Sequence, residues 1–302
     1  MLEYVKLSSE VVLARGEGQP VVALESTLIT HGLPNPLNAE TALAMEAAVR
    51  AAGAVPATIA ILGGRLCIGL SEEEIRHLAA SQDVLKVSSH GLAYALATSR
   101  TAATTVSGTM YASRLAGIRY FATGGIGGVH RGAAITGDIS TDLLELSRTQ
   151  VAVVCAGAKS ILDIGLTLEY LETAGVPILG YATREFPAFF TPTSGHPLEY
   201  IVQDAHEAAR VFRAHRRLNL PTGVLIACPP PQSDIDQARL ESATRQAVHE
   251  AGQAGITGGE VTPWLLARVA DLTRGESLKA NVALLKNNAR IAAHIAIADA
   301  TA

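Results

Sequence analysis

Seven short apolar runs recur along this chain, separated by stretches of helical spacing, and that alternation limits the fold more than any other feature. The runs cover residues 20–25, 57–62, 104–106, 120–123, 151–155, 177–180 and 223–227. The intervening residues 38–52, 71–80, 139–147, 162–173, 201–218 and 233–254 repeat apolar positions three and four apart, as does a last segment at 277–298. Strands that are apolar throughout need cover on both faces, so the order predicts a layered α/β/α sheet. No linker-like composition divides residues 1–302, which reads as one domain, and no internal repeat of fixed period is present. The Gly-Gly-Arg-Leu and Gly-Gly-Ile-Gly-Gly stretches read as loops.

Charge narrows the possible partners. Charged residues make up only 17% of the chain and hydrophobic ones 48%, a balance that suits extensive burial and a subunit interface. The net charge of −4 carries no basic stripe, and the densest basic cluster, Arg210 to Arg217, is short enough for a solvated helix face. Polymeric nucleic acid is therefore not an expected partner. No apolar stretch is long enough to cross a bilayer, and Glu3 and Lys6 stand where a signal peptide would be apolar, so a cytoplasmic location is expected. Cys67, Cys155 and Cys228 are widely spaced within apolar runs, as packed reduced thiols are.

Lys159 stands out against this background, being one of five lysines among 24 basic residues and following the apolar run 151–157. Open α/β sheets collect ligands where their strands end. An ammonium held there loses hydration, which favours the neutral amine that can attack a carbonyl carbon; a lysine capping the strand or pairing with a carboxylate is the plainer alternative. Glu25 closes another apolar run and could move a proton, or could equally pair with a lysine or cap a loop. The segment Thr123-Gly-Gly-Ile-Gly-Gly-Val-His-Arg-Gly132 offers backbone N–H groups, His130 and Arg131 to an anion, although its spacing is not that of a dinucleotide loop and a structural turn is an alternative. Asp138 and Asp142 would share a face if a helix began there, a spacing suited to a hydrated Mg²⁺ or Mn²⁺; helix capping by Asp138 or Ser140 is the alternative. The histidines show no zinc pattern, and the setting of Cys155 favours packing over nucleophilic chemistry.

Taken together, Ala23-Leu-Glu-Ser-Thr-Leu-Ile-Thr-His-Gly-Leu-Pro34, Lys86-Val-Ser88, Thr104-Thr-Val106, the glycine-rich segment, Asp138-Ile-Ser-Thr-Asp-Leu143, Cys155-Ala-Gly-Ala-Lys-Ser-Ile-Leu-Asp163 and Asn281-Val-Ala-Leu-Leu-Lys-Asn-Asn288 resemble the pseudouridine-5′-phosphate glycosidases, the family that includes the indigoidine synthase A proteins. The resemblance runs in unbroken order from about Val21 to Ala293. It implies a three-layer α/β/α sandwich around a large mixed, mostly parallel central sheet, a homotrimer, a divalent ion (usually Mn²⁺, with Mg²⁺ possible), and reversible cleavage of the C–C glycosidic bond of pseudouridine 5′-phosphate to uracil and ribose 5-phosphate. It further implies that Lys159 forms a Schiff base with C1′ of the ring-opened sugar and that Glu25 donates and accepts the proton. Lys86, Thr105, Val106, His130, Ser140, Thr141, Asp142 and Asn281 match substrate-binding positions, and Asp138 matches a metal ligand. Gly137 departs from the larger residue expected before the Asp-Ile-Ser segment. A C-glycosidic bond has no leaving oxygen to protonate, so a lysine nucleophile beside a separate acid suits it better than two carboxylates. An aldolase-like lyase acting on phosphosugars and a non-catalytic nucleotide or carbohydrate binder are the competing readings.

Overall fold

A computed structural model of the protein describes residues 3–231, 236–256 and 258–301, apart from the side chain of Gln237. The strands are β1 (Val5–Leu7), β2 (Val21–Leu24), β3 (Val55–Leu62), β4 (Arg65–Ile68), β5 (Leu85–Val87), β6 (Ala102–Thr104), β7 (Tyr120–Ala122), β8 (Val129–His130), β9 (Ala152–Cys155), β10 (Leu162–Asp163), β11 (Ile178–Tyr181), β12 (Tyr200–Val202) and β13 (Val224–Ala227). Eleven of them form one sheet in the order β1-β4-β3-β2-β7-β9-β13-β11-β12, with β6 added to β3 and β5 to β6, while β8 and β10 form a separate ladder. Among the described residues of the large sheet only the β3–β4 and β3–β6 pairings are antiparallel, so the sheet is mixed and mostly parallel, as the family resemblance implies.

Every residue of β2, β7, β9 and β13 is buried, which follows from runs such as Val-Val-Ala-Leu and Val-Leu-Ile-Ala that present no polar face. The long helix Glu276–Ala300 packs on β2, β7 and β9 and against the helices Leu37–Ala51 and Ala205–Arg217. Its buried surface includes Ala280, Ala289, Ala292, Ala293 and Ala296, small side chains that let the helix axis approach the sheet closely. Among the described residues no helix is long and apolar enough to cross a membrane.

The structure corrects several local expectations. Gly63 and Gly64, read above as part of a loop, are the two-residue turn of the β3–β4 hairpin; both have positive φ (+54° and +77°), and Arg65 and Leu66 already belong to β4. Residues 104–106 are not one strand: β6 ends at Thr104, and Val106 opens the helix Val106–Leu115. Three β-branched residues in a row satisfy a strand and a helix start equally well, and the polar Ser-Gly-Thr that follows hides the helical period. The helix expected over 233–254 is Gln237–Gln253, and its expected start at 233–235 lies outside the described residues. Two helices without a strong apolar stripe, Ser9–Gly16 and Val261–Leu272, escaped the periodicity.

One junction positions the site. Along a single edge of β3, Val55 to Thr58 pair with β2 while Ala60 and Ile61 pair with β6, because β4 occupies the opposite edge. Ser26 splices the changeover: its hydroxyl donates to the Ile59 carbonyl (2.6 Å) and accepts from the Thr104 N–H (2.9 Å). The sheet therefore opens immediately beyond Leu24, and Glu25 stands at the opening.

Candidate active site

Glu25 is only 6% exposed, so its carboxylate requires partners. It has one on each oxygen: the Thr27 hydroxyl donates to Oε2 and the Thr123 hydroxyl to Oε1. Thr27 lies two residues along the same loop, whereas Thr123 is the first residue after the neighbouring strand β7, so the end of the sheet itself fixes the orientation of the acid.

Lys159 comes from the next strand. Beyond β9 the chain runs on through Gly157, whose φ of +86° turns it, and Ala158 bridges to Ile126. The Lys159 N–H donates to the Ile126 carbonyl (3.1 Å), which ties the lysine to the glycine-rich segment. The helix expected from residue 162 begins at Ile164, after the two residues of β10. Glu25 and Lys159 line one cleft together with Lys86 from β5 and Asn281 from the long helix. Burial, and then the charge of Lys159, hold the Lys86 ammonium below its ordinary pKa, while Asp142 and Glu25 act in the opposite direction. Its Nζ donates to the Gly259 carbonyl at 2.9 Å.

His31 and Phe189 add a polar and an apolar wall, and Thr262, Pro263 and Leu266 of the helix Val261–Leu272 form a roof. Burial, and then Lys86, keep the His31 imidazole below its ordinary pKa. The cleft holds about 60 Å³, well short of the roughly 300 Å³ or more of a typical small-molecule site, so the roof and the floor stand close together.

The remaining sequence candidates form a layer beside the cleft. Asp142 is 4% exposed and accepts from the Ser107 N–H at Oδ1 (2.9 Å) and from the Gly127 N–H at Oδ2 (2.8 Å), so it clamps the glycine-rich segment to the start of the helix Val106–Leu115. The Asp138–Asp142 helical face does not form, because the helix is Thr141–Leu146 and Asp138 precedes it; Ser140 is the cap, accepting from the Asp142 N–H (3.2 Å). The Val106 side chain is buried, which leaves its backbone as the part able to meet a ligand. Thr105, Ser107 and Thr141 form a chain of hydroxyls at 3.1 and 3.2 Å.

The glycines of 124–128 serve close packing more than unusual dihedrals. A Cβ on Gly127 would stand 2.2 Å from Ser140 Oγ, and the N–H groups of Ile126, Gly127, Val129 and His130 already have partners inside the protein. An anion here would be met chiefly by side chains. His130 Nδ1 lies 3.9 Å from Asp138 Oδ2, and burial, with Lys159 and Lys86 adding, pushes the imidazole below its ordinary pKa against the opposing pull of Asp138. Among the described residues no three His, Cys, Asp or Glu side chains cluster as a metal cage. Asp138, part-exposed and one carboxylate deep, fits an ion that keeps most of its water, as hard divalent ions do. Cys155 is a packed thiol, pushed up by burial to about 12.

Thr27, Thr123, His31 and the roof residues were not singled out in the sequence. Thr27 and His31 do lie within the 23–34 segment, but no spacing marks a threonine as a carboxylate partner across 98 residues. Asn288 is similar: its fully buried amide donates to the carbonyls of Thr123 (2.9 Å) and Gly124 (3.3 Å), fastening the long helix to the floor of the cleft.

A buried carboxylate and an amine brought together at one end of a mostly parallel sheet define an α/β enzyme. The chain belongs to the indigoidine synthase A-like family, whose profile, "Indigoidine synthase A like protein", matches residues 10–298. It is 55% identical over 298 residues to a pseudouridine-5′-phosphate glycosidase of Caldanaerobacter subterraneus subsp. tengcongensis, covering 98% of this chain and 97% of the relative. A protein of the same description from Herpetosiphon aurantiacus is 53% identical, with 97% of each chain covered. Among solved structures, the prealnumycin C-glycosynthase AlnA in complex with ribulose 5-phosphate superimposes with a TM-score of 0.91 at 43% identity, covering 100% of this chain and 98% of that one. An indigoidine synthase A-like protein from Thermotoga maritima gives 0.88 at 34% identity, covering 97% and 95%.

Proposed function

We propose that the protein is a pseudouridine-5′-phosphate glycosidase that reversibly cleaves the C–C glycosidic bond of pseudouridine 5′-phosphate to uracil and ribose 5-phosphate, in pseudouridine catabolism. The observation that carries this reading is the shared cleft of Lys159 and Glu25. The curated relatives bearing that description, and the sugar phosphate held by the C-glycosynthase, support it. An aldolase-like lyase needs the same lysine, but the C-glycoside chemistry of these relatives favours the glycosidase.

In the forward direction the neutral Lys159 amine attacks C1′, the C1′–O4′ bond breaks, and the amine proton passes to O4′ as the ring opens. Protonated Glu25 then gives its proton to C5 of the base. The C1′–C5 bond breaks with its electrons staying on uracil, and the nitrogen lone pair closes the C1′=N bond of a Schiff base. Glu25, now a carboxylate, takes a proton from the water that hydrolyses this Schiff base to ribose 5-phosphate. The Thr27 and Thr123 hydroxyls can follow either protonation state of Glu25, since a hydroxyl rotates to donate or accept. Lys86, His130, Thr105, the Val106 backbone, Ser140, Thr141, Asp142 and Asn281 bind and orient the substrate in this reading. Asp138 would hold a hydrated Mn²⁺, which supplies positive charge for the substrate phosphate. The working form is a cytoplasmic homotrimer.

Borohydride added with ribose 5-phosphate should trap the sugar on Lys159, read by peptide mass spectrometry, and Lys159→Ala should lose both the adduct and turnover. An adduct on another lysine, or near-normal turnover of the variant, overturns the assignment.

A further inference from the structure

The histidine and the arginine of the glycine-rich segment part company in the fold. His130 turns toward Asp138, whereas Arg131 lines a different hollow of about 280 Å³ that shares no lining residue with the catalytic cleft. The two spaces lie back to back. Lys159 faces the cleft and Ser160 the hollow, and in the facing loop Phe189 faces the cleft and Ala188 the hollow.

The lining of this hollow is unusual in its chemistry. The hydroxyls of Ser160 and Thr244 are both buried and have no partner among the described residues, although a buried hydroxyl without one is costly. Thr191 and Thr193, from the Thr-Pro-Thr-Ser-Gly loop, add further hydroxyl-bearing residues. Two guanidiniums and one carboxylate, Glu241, also line the hollow. Arg131 is exposed with no carboxylate partner among the described residues, and Arg245, on the helix Gln237–Gln253, is only loosely paired with Glu241 at 3.9 Å. Donor hydroxyls beneath a pair of guanidiniums suit a tetrahedral oxyanion, which accepts on every oxygen and favours the forked geometry of arginine.

We propose that this hollow is a second phosphate-binding site, separate from the catalytic cleft, which takes inorganic phosphate and reports its occupancy through the Lys159–Ser160 turn. Anion binding at Ser160 would restrain the backbone that carries Lys159, so phosphate should lower turnover without competing with the sugar.

Calorimetric titration of the full-length protein with inorganic phosphate tests this, together with kinetics of ribose 5-phosphate and uracil condensation at several phosphate concentrations. Two phosphates should bind per wild-type chain. Arg245→Ala and the near-isosteric Thr244→Val should each weaken one of them by roughly tenfold or more while His130→Ala weakens only the other. The same two variants should abolish the fall in kcat caused by phosphate and leave KM for ribose 5-phosphate unchanged. A single phosphate lost only in His130→Ala, or phosphate inhibition that is purely competitive, overturns the second site while the glycosidase reading stands. A single phosphate lost in Arg245→Ala, accompanied by a raised KM for ribose 5-phosphate, also overturns it and assigns the hollow to the substrate's own phosphate. Circular dichroism melts separate either result from a variant that fails to fold.

Discussion

At the scale of single residues, the histidine missed in the sequence gives the most direct pH handle. Burial and Lys86 both lower the His31 pKa from its ordinary 6.5, so in the window between the folded value and 6.5 the unfolded chain binds a proton that the native state does not. Stability from this group is then complete above about 6.5 and declines as pH falls toward the folded value. Thermal melts between pH 7.5 and 5.5 should show a steeper loss of Tm for the wild type than for His31→Gln; superimposable profiles would show that His31 is not the source. Lys159 and Glu25 were legible because a charge at the end of an apolar run is conspicuous. The hydroxyls that hold Glu25 were not, because Thr123 meets it only once β7 lies beside β2, a pairing between residues far apart in the chain.

At the scale of elements, the segment 138–142 and the roof helix each carry a prediction. If Asp138 holds the divalent ion alone among the protein groups, the ion should exchange easily: excess chelator should abolish turnover and Mn²⁺ should restore it, whereas Asp138→Asn should respond weakly to added metal. Full activity in chelator would rule out the ion. The roof helix Val261–Leu272 contains the chain's single tryptophan, Trp264, and a cleft of about 60 Å³ beneath it has to widen for a nucleotide to enter. Lys86 currently ties the N-terminal side of this helix through the Gly259 carbonyl, and a substrate phosphate or hydroxyl that drew off its ammonium would release that contact. Adding ribose 5-phosphate should therefore shift Trp264 emission, in Lys159→Ala as well as in the wild type, since the shift precedes covalent chemistry. An unchanged spectrum at saturating ligand would mean a fixed roof. The helix escaped the sequence reading for a physical reason: it packs mainly on the helix Gln237–Gln253 and above the cleft, so no single apolar stripe declares it.

For the whole molecule, the alternation of apolar runs and helical spacing was enough to define a layered α/β/α sheet, since strands buried on both faces leave few other arrangements. The branch at β3, where β6 replaces β2 along one edge, was not legible, because it depends on register and on one buried serine. Quaternary structure is the level at which surface chemistry should decide. Ile135 is 94% exposed on the short turn preceding Asp138, with Ile139 and Leu144 also exposed nearby in sequence. Apolar side chains in that setting are better accounted for by a covering subunit than by solvent, and a low proportion of charged residues agrees. Light scattering should give a mass three times the 31.5 kDa of the chain. If the interface runs over this turn, Ile135→Asp should shift the population toward monomer at micromolar concentration while the far-UV circular dichroism stays unchanged, and turnover should fall with it because Asp138 is three residues away. A wild-type monomer removes the trimer altogether, and an Ile135→Asp protein that stays fully trimeric moves the interface to another face.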